Sequence, residues 1–147
     1  MKLNVIVEII SAILILLFVY AGITKLVDHR SFLFQLSISP NTKEYRVWLA
    51  WTLPLAELAL VGLLLIKRWR LAGLYGAVIL FGTYLYAILN FKYFVPWISG
   101  GILTRISYKP HLILDSLFLT LSVIGALVAT LISARKRHDL QYKPSFT

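Results

Sequence analysis

Residues 5–26 read VIVEIISAILILLFVYAGITKL and carry only two charged side chains, Glu8 and Lys25. A helix that crosses a bilayer needs about 20 mostly apolar residues. Three more runs of this kind follow, at about 48–66, 71–90 and 111–133. Backbone groups in hydrocarbon must be paired within the segment or in a closed barrel, and apolar runs of this length are read as helices. The expected fold class is therefore all-α: an integral membrane four-helix bundle. The first run is too long for a signal peptide, and no small-residue cleavage site follows it, so it is expected to be retained as a helix. Four helices and their links leave no room for a separate soluble domain. The expected organisation is one four-span domain over 1–134, followed by a basic tail over 135–147.

Composition agrees. Of the 147 residues 59% are apolar and 14% charged, and the mean hydropathy is +0.81. Soluble domains are about 45–50% apolar and about 25% charged. A disordered chain, a nucleic-acid module and an ordinary soluble enzyme are excluded. The net charge of +9 does not point to nucleic acid, because basic residues of membrane proteins gather at helix ends and hold the topology. Cysteine is absent, so no disulfide, dithiol cycle or thiolate ligand is available. The three histidines, His29, His111 and His138, have no metal-ligand spacing, and no metal is expected.

Even span counting places both termini and the link Lys67-Arg68-Trp69-Arg70 on one side. That side carries two compact cationic clusters at helix ends, the short link and Arg135-Lys136-Arg137. The rule that cytoplasmic ends are positive then predicts a multi-pass protein of the inner (cytoplasmic) membrane with both termini cytoplasmic. Trp48, Trp51, Trp69, Trp97, Tyr45, Tyr93 and Tyr108 fall near span ends, as interfacial anchors do. In the third span Gly73 and Ala77 have the spacing that lets helices approach closely.

The two long links would lie on the outer face. In the first, Phe32, Leu33, Leu36 and Ile38 form part of an apolar stripe, with Asp28 or Ser31 ahead of it and Pro40-Asn41 after it. A short amphipathic helix is expected, lying at the surface or packed over the bundle mouth. In the second, Pro96 and Gly100-Gly101 are turn signals, and no phosphate-loop spacing follows the glycines.

Ionisable residues at membrane depth are costly and demand an explanation. Glu57 is the most informative: it lies near the middle of the second span, three residues after Pro54. It is either a proton-accepting or ligand-binding carboxylate, or a structural acid paired with a buried base or hydroxyl. Lys25 is a plausible partner from span one, and Tyr84 and Tyr86 are possible donors. His111 and Asp115 are four apart on one helix face, as a capping and orienting pair or as part of a polar site. Glu8 would face a neighbouring helix or the Lys67–Arg70 link. Lys25, Asp28, Glu57, His111 and Asp115 together favour the outer half of the bundle, where a hydrated polar pocket is expected. No catalytic nucleophile–base pair is evident.

Three local patterns carry a family resemblance: Tyr20, Lys25-Leu26 and Asp28 with Phe32 and Phe34 behind them; Trp51, Pro54 and Glu57; and the loop from Pro96 to Gly101 followed by His111-Leu112. Over roughly residues 5–133 the chain resembles the DoxX-like four-helix membrane proteins, close to their MauE branch. The resemblance implies a redox-associated bundle with its functional surface outside, and helpers that mature disulfide-rich periplasmic partners. Many such relatives carry Cys-x-Cys-Gly-Gly in the last outer loop. Here the stretch is Trp97-Ile98-Ser99-Gly100-Gly101: both thiols are gone and the glycine pair remains.

The leading expectation is a non-catalytic accessory subunit that stabilises, or assists maturation of, a periplasmic or membrane protein partner. Trp97, Ser99, Gly100 and Gly101 would make the contact, and Glu57 and Lys25 would form a buried brace. One alternative is a thiol-independent redox component binding a quinone or similar lipid through Glu57, His111 and Asp115. Another is a small proton-coupled transporter subunit using Glu57.

Overall fold

The computed structural model describes residues 2–38, 43–90 and 108–141. They form five helices: α1 (Lys2–Val27), α2 (His29–Ile38), α3 (Arg46–Leu65), α4 (Arg70–Asn90) and α5 (Tyr108–Gln141). Three are long and apolar enough to cross a membrane: α1 over Leu3–Val27, α3 over Arg46–Leu65 and α5 over Ile113–His138. The protein is thus a multi-pass membrane protein. Four long helices lie at the positions of the four expected runs, but α4, with 21 residues at the third run, is not among the three spans. Helix α5 does not stop with its apolar run near 133 but continues through Arg135-Lys136-Arg137 to Gln141.

The long helices pack as a ring, α1 on α3, α3 on α4, α4 on α5 and α5 on α1, with only slight contact between α1 and α4 across it. One face of each helix points inward. Val7, Ile10, Leu14 and Phe18 do so from α1, and Leu60 and Leu64 from α3. Leu74, Ala77 and Phe81 face them from α4, and Ala126 and Ala129 from α5. This is i, i+3, i+4 spacing. The outward faces are equally apolar: Leu16, Ile79 and Leu127 are exposed in the isolated chain, as lipid contact requires. Two buried serines satisfy themselves locally. Ser11 Oγ donates to Val7 O at 2.7 Å and Ser122 Oγ to Phe118 O at 2.8 Å.

Close helix approach is set by small residues. A Cβ built on Gly73 would lie 3.0 Å from the Leu64 side chain and 3.1 Å from the Leu64 backbone nitrogen. The backbone cannot yield as a side-chain tip can. Gly73→Leu should therefore push α4 off α3 and cost about 1–3 kcal/mol, read as a lower unfolding midpoint in detergent.

The α3–α4 turn is tight. Ile66 leaves the helix in an extended conformation, and Trp69 N–H donates to Ile66 O at 2.9 Å. Arg70 Nε donates back to Leu64 O at 3.3 Å, satisfying one of the carbonyls a helix end leaves without a partner. At the opposite end the chain reverses at Asp28. Its carbonyl accepts from Phe32 N–H at 3.1 Å, and α2 folds back against α3 and α1. The short amphipathic helix expected here is α2, with Phe32 buried and Phe34 65% exposed.

Candidate functional site

The most polar point inside the bundle lies under α2. Lys25 comes from the last turn of α1, Glu57 from the middle of α3 and Tyr84 from α4. Lys25 and Glu57 are only 2% and 1% exposed. The Lys25 ammonium is ion-paired to Glu57 Oε1. The Tyr84 hydroxyl donates to the same oxygen at 2.7 Å, and Lys25 Nζ donates to the Tyr84 oxygen at 3.2 Å. Three helices are therefore joined through three mutually bonded groups. Charge-assisted bonds of this kind are the stronger class of hydrogen bond.

Helical phase explains the meeting. On α3, Ala50, Pro54, Glu57, Leu60 and Leu64 share the buried face. On α4, Leu74, Ala77, Phe81 and Tyr84 do so. Pro54 lies inside α3 one turn before Glu57 and offers no N–H to Ala50 O. Gly22 of α1 faces it: a Cβ there would sit 3.5 Å from Pro54 O and 3.2 Å from Leu58. This close approach draws α1 to the depth at which Lys25 meets Glu57. Phe32 of α2 closes the group from above, its ring centroid 5.7 Å from Lys25 Nζ, within cation–π range.

Two atoms stand out by what they do not bond. Glu57 Oε2 is buried with no hydrogen-bond partner among the described residues, and so is His29 Nδ1. The His29 ring packs on Trp51 at 4.6 Å. The sequence gives no signal for this α2–α3 contact, since His29 stands there as an isolated histidine in a link.

The structure thus brings Lys25, Glu57 and Tyr84 together. Tyr86 does not join them: two positions along the helix it lies on the far side and is exposed. Asp28 is also outside the group, exposed at the α1–α2 reversal, because the chain must turn there. Asp115 is half-buried on α5 and within electrostatic range of the Tyr84 hydroxyl. His111 is in α5 one turn before it, but its side chain lies outside the described residues. So do Trp97, Ser99, Gly100 and Gly101. Glu8 reaches the short link, 3.8 Å from Arg70 Nη1. Among the described residues no group of three or more His, Cys, Asp or Glu could hold a metal ion.

This arrangement can do two things chemically. It can pin three helices at one point, and it can offer one free carboxylate oxygen to a hydrogen-bond donor.

A family model described as "Methylamine utilisation protein MauE" matches residues 3–131, from the start of α1 far into α5. No curated protein and no solved structure matches the chain.

Proposed function

The chain belongs to the MauE family, and from that premise we propose that it is a non-catalytic accessory protein of methylamine utilisation, holding or helping to mature a protein partner at the outer face of the inner membrane. The observation that carries this reading is the Lys25–Glu57–Tyr84 group. The bundle's buried charge is spent on joining α1, α3 and α4, as a scaffold requires. With no cysteine in the chain, any help to a disulfide-rich partner is physical rather than thiol exchange. Both termini, the Lys67–Arg70 link and Arg135–Arg137 lie on the cytoplasmic side in this reading. The partner then meets the opposite end, at α2 and the loop carrying Trp97, Ser99, Gly100 and Gly101.

Phe34 tests the surface. It is 65% exposed on α2, so its replacement costs the fold little. An aromatic anchor at an interface, by contrast, contributes strongly to binding. Phe34→Glu is expected to weaken partner recovery with the tagged chain by about tenfold, with an unchanged unfolding midpoint. Undiminished recovery would remove α2 from the contact.

A second reading is favoured by one atom. The unpartnered Glu57 Oε2 is the acceptor that a quinol hydroxyl would use, so a thiol-independent redox role with a bound quinone is its natural rival. Replacing Lys25 and Glu57 together with Met and Leu separates the two. A scaffold keeps its partner, whereas a quinone site or a proton path is lost.

A further inference from the structure

At the end of the bundle away from α2, the start of α1, the α3–α4 turn with the start of α4, and residues 129–133 of α5 line a cleft of about 290 Å³. Its polar wall is Asn4, Glu8, Lys67, Arg70 and Ser133. The cations there are under-used. Arg70 has only 19% of its side chain exposed, yet among the described residues Nε alone donates a hydrogen bond, to Leu64 O. Its Nη1 is 3.8 Å from a half-exposed Glu8 carboxylate, beyond hydrogen-bond length. Lys67 makes no hydrogen bond or ion pair among the described residues. A guanidinium largely withdrawn from water with unspent donors is a costly arrangement unless an anion completes it.

The surroundings name the anion. Arg70 and Leu71 open α4, and the first amides of a helix, with its positive dipole end, favour phosphate. The rest of its wall is apolar, from Val7, Leu71, Ala129 and Ile132. The cleft lies where α1 and α4 begin, which in a bilayer-spanning bundle is the headgroup end. Its volume, at the lower end for ligand pockets, suits a headgroup whose tails run outside along the helices. We propose that this cleft binds a phosphate-bearing anion through Lys67 and Arg70, the headgroup of an anionic phospholipid being the source that its apolar wall favours. The site is independent of the accessory role.

The test is the unfolding midpoint of the full chain in a neutral detergent, titrated separately with dihexanoyl phosphatidylglycerol, dihexanoyl phosphatidylcholine and inorganic phosphate. A saturable rise with phosphatidylglycerol and none with phosphatidylcholine is expected. Lys67→Glu should weaken the apparent Kd by about tenfold. Asn4→Leu, which keeps all the cations, is the second variant and should weaken it severalfold. An equal rise with inorganic phosphate supports the site and assigns it to a free anion. No response to any phosphate-bearing probe, or a response undiminished in both variants, overturns the inference.

Discussion

Lys25→Met and Glu57→Leu, made singly, are each expected to cost about 3 kcal/mol, and made together to return the protein to within about 1 kcal/mol of its parent. Each single change strands a charge where lipid and protein exclude water. In Lys25→Met the carboxylate keeps, among the described residues, only the Tyr84 hydroxyl, and Oε2 remains unpartnered. In Glu57→Leu the ammonium keeps, among the described residues, the Tyr84 oxygen at 3.2 Å and the rings of Tyr84 and Phe32. The double variant buries two apolar side chains of similar size in their place, and buried ion pairs are commonly replaceable in this way at little cost. Unfolding free energies of the parent, both singles and the double, measured by denaturing-detergent titration, complete a double-mutant cycle. Additive losses would show that Lys25 and Glu57 do not act as one unit.

Phe81→Ala should be the largest loss from the apolar core. Phe81 stacks on Phe18 of α1 at 5.3 Å between centroids and on Phe118 of α5 at 5.8 Å, with ring planes within about 20° of parallel in both pairs. Its ring is 3% exposed. The substitution removes the middle of a three-ring column that ties α1, α4 and α5 together. Phe→Ala in soluble cores costs about 3–5 kcal/mol. Lipid tails are as apolar as the core, so the transfer part shrinks and the lost packing remains. The expected cost is therefore at the lower end, about 3 kcal/mol, in the same detergent titration. Phe81→Leu should recover most of it, since it refills most of the space.

These two cases also show what the sequence could disclose. Apolar length made the helices legible, and the cost of charge in lipid made Glu57 legible with Lys25 as a partner at similar depth. Of Tyr84 and Tyr86 only one could face inward, since two positions rotate a helix by about 200°. Tyr84 is the one in phase with Leu74, Ala77 and Phe81. That phase was hidden, because Leu16 and Ile79 on the lipid side are as apolar as Leu14 and Leu74 on the inner side. In a soluble helix a polar face reveals the core face; here neither side does. The aromatic column was hidden for the same reason. In the sequence Lys67 and Arg70 signal only topology, because the walls of their cleft come from α1, the α3–α4 turn, α4 and α5 and meet only in the fold. Sequence proximity places Asp28 with the buried charges, but the chain reverses at that residue and leaves it in the open.

The central claim is that this chain works by holding another protein. The most direct measurement is its recovery from native membranes in mild detergent, with mass spectrometry of both the proteins and the lipids that come with it. A protein partner in stoichiometric amount, retained by the Lys25→Met/Glu57→Leu double variant, is the expected result. A chain that comes out alone, carrying a quinone that the double variant loses, would contradict it and make Glu57 the centre of a redox site.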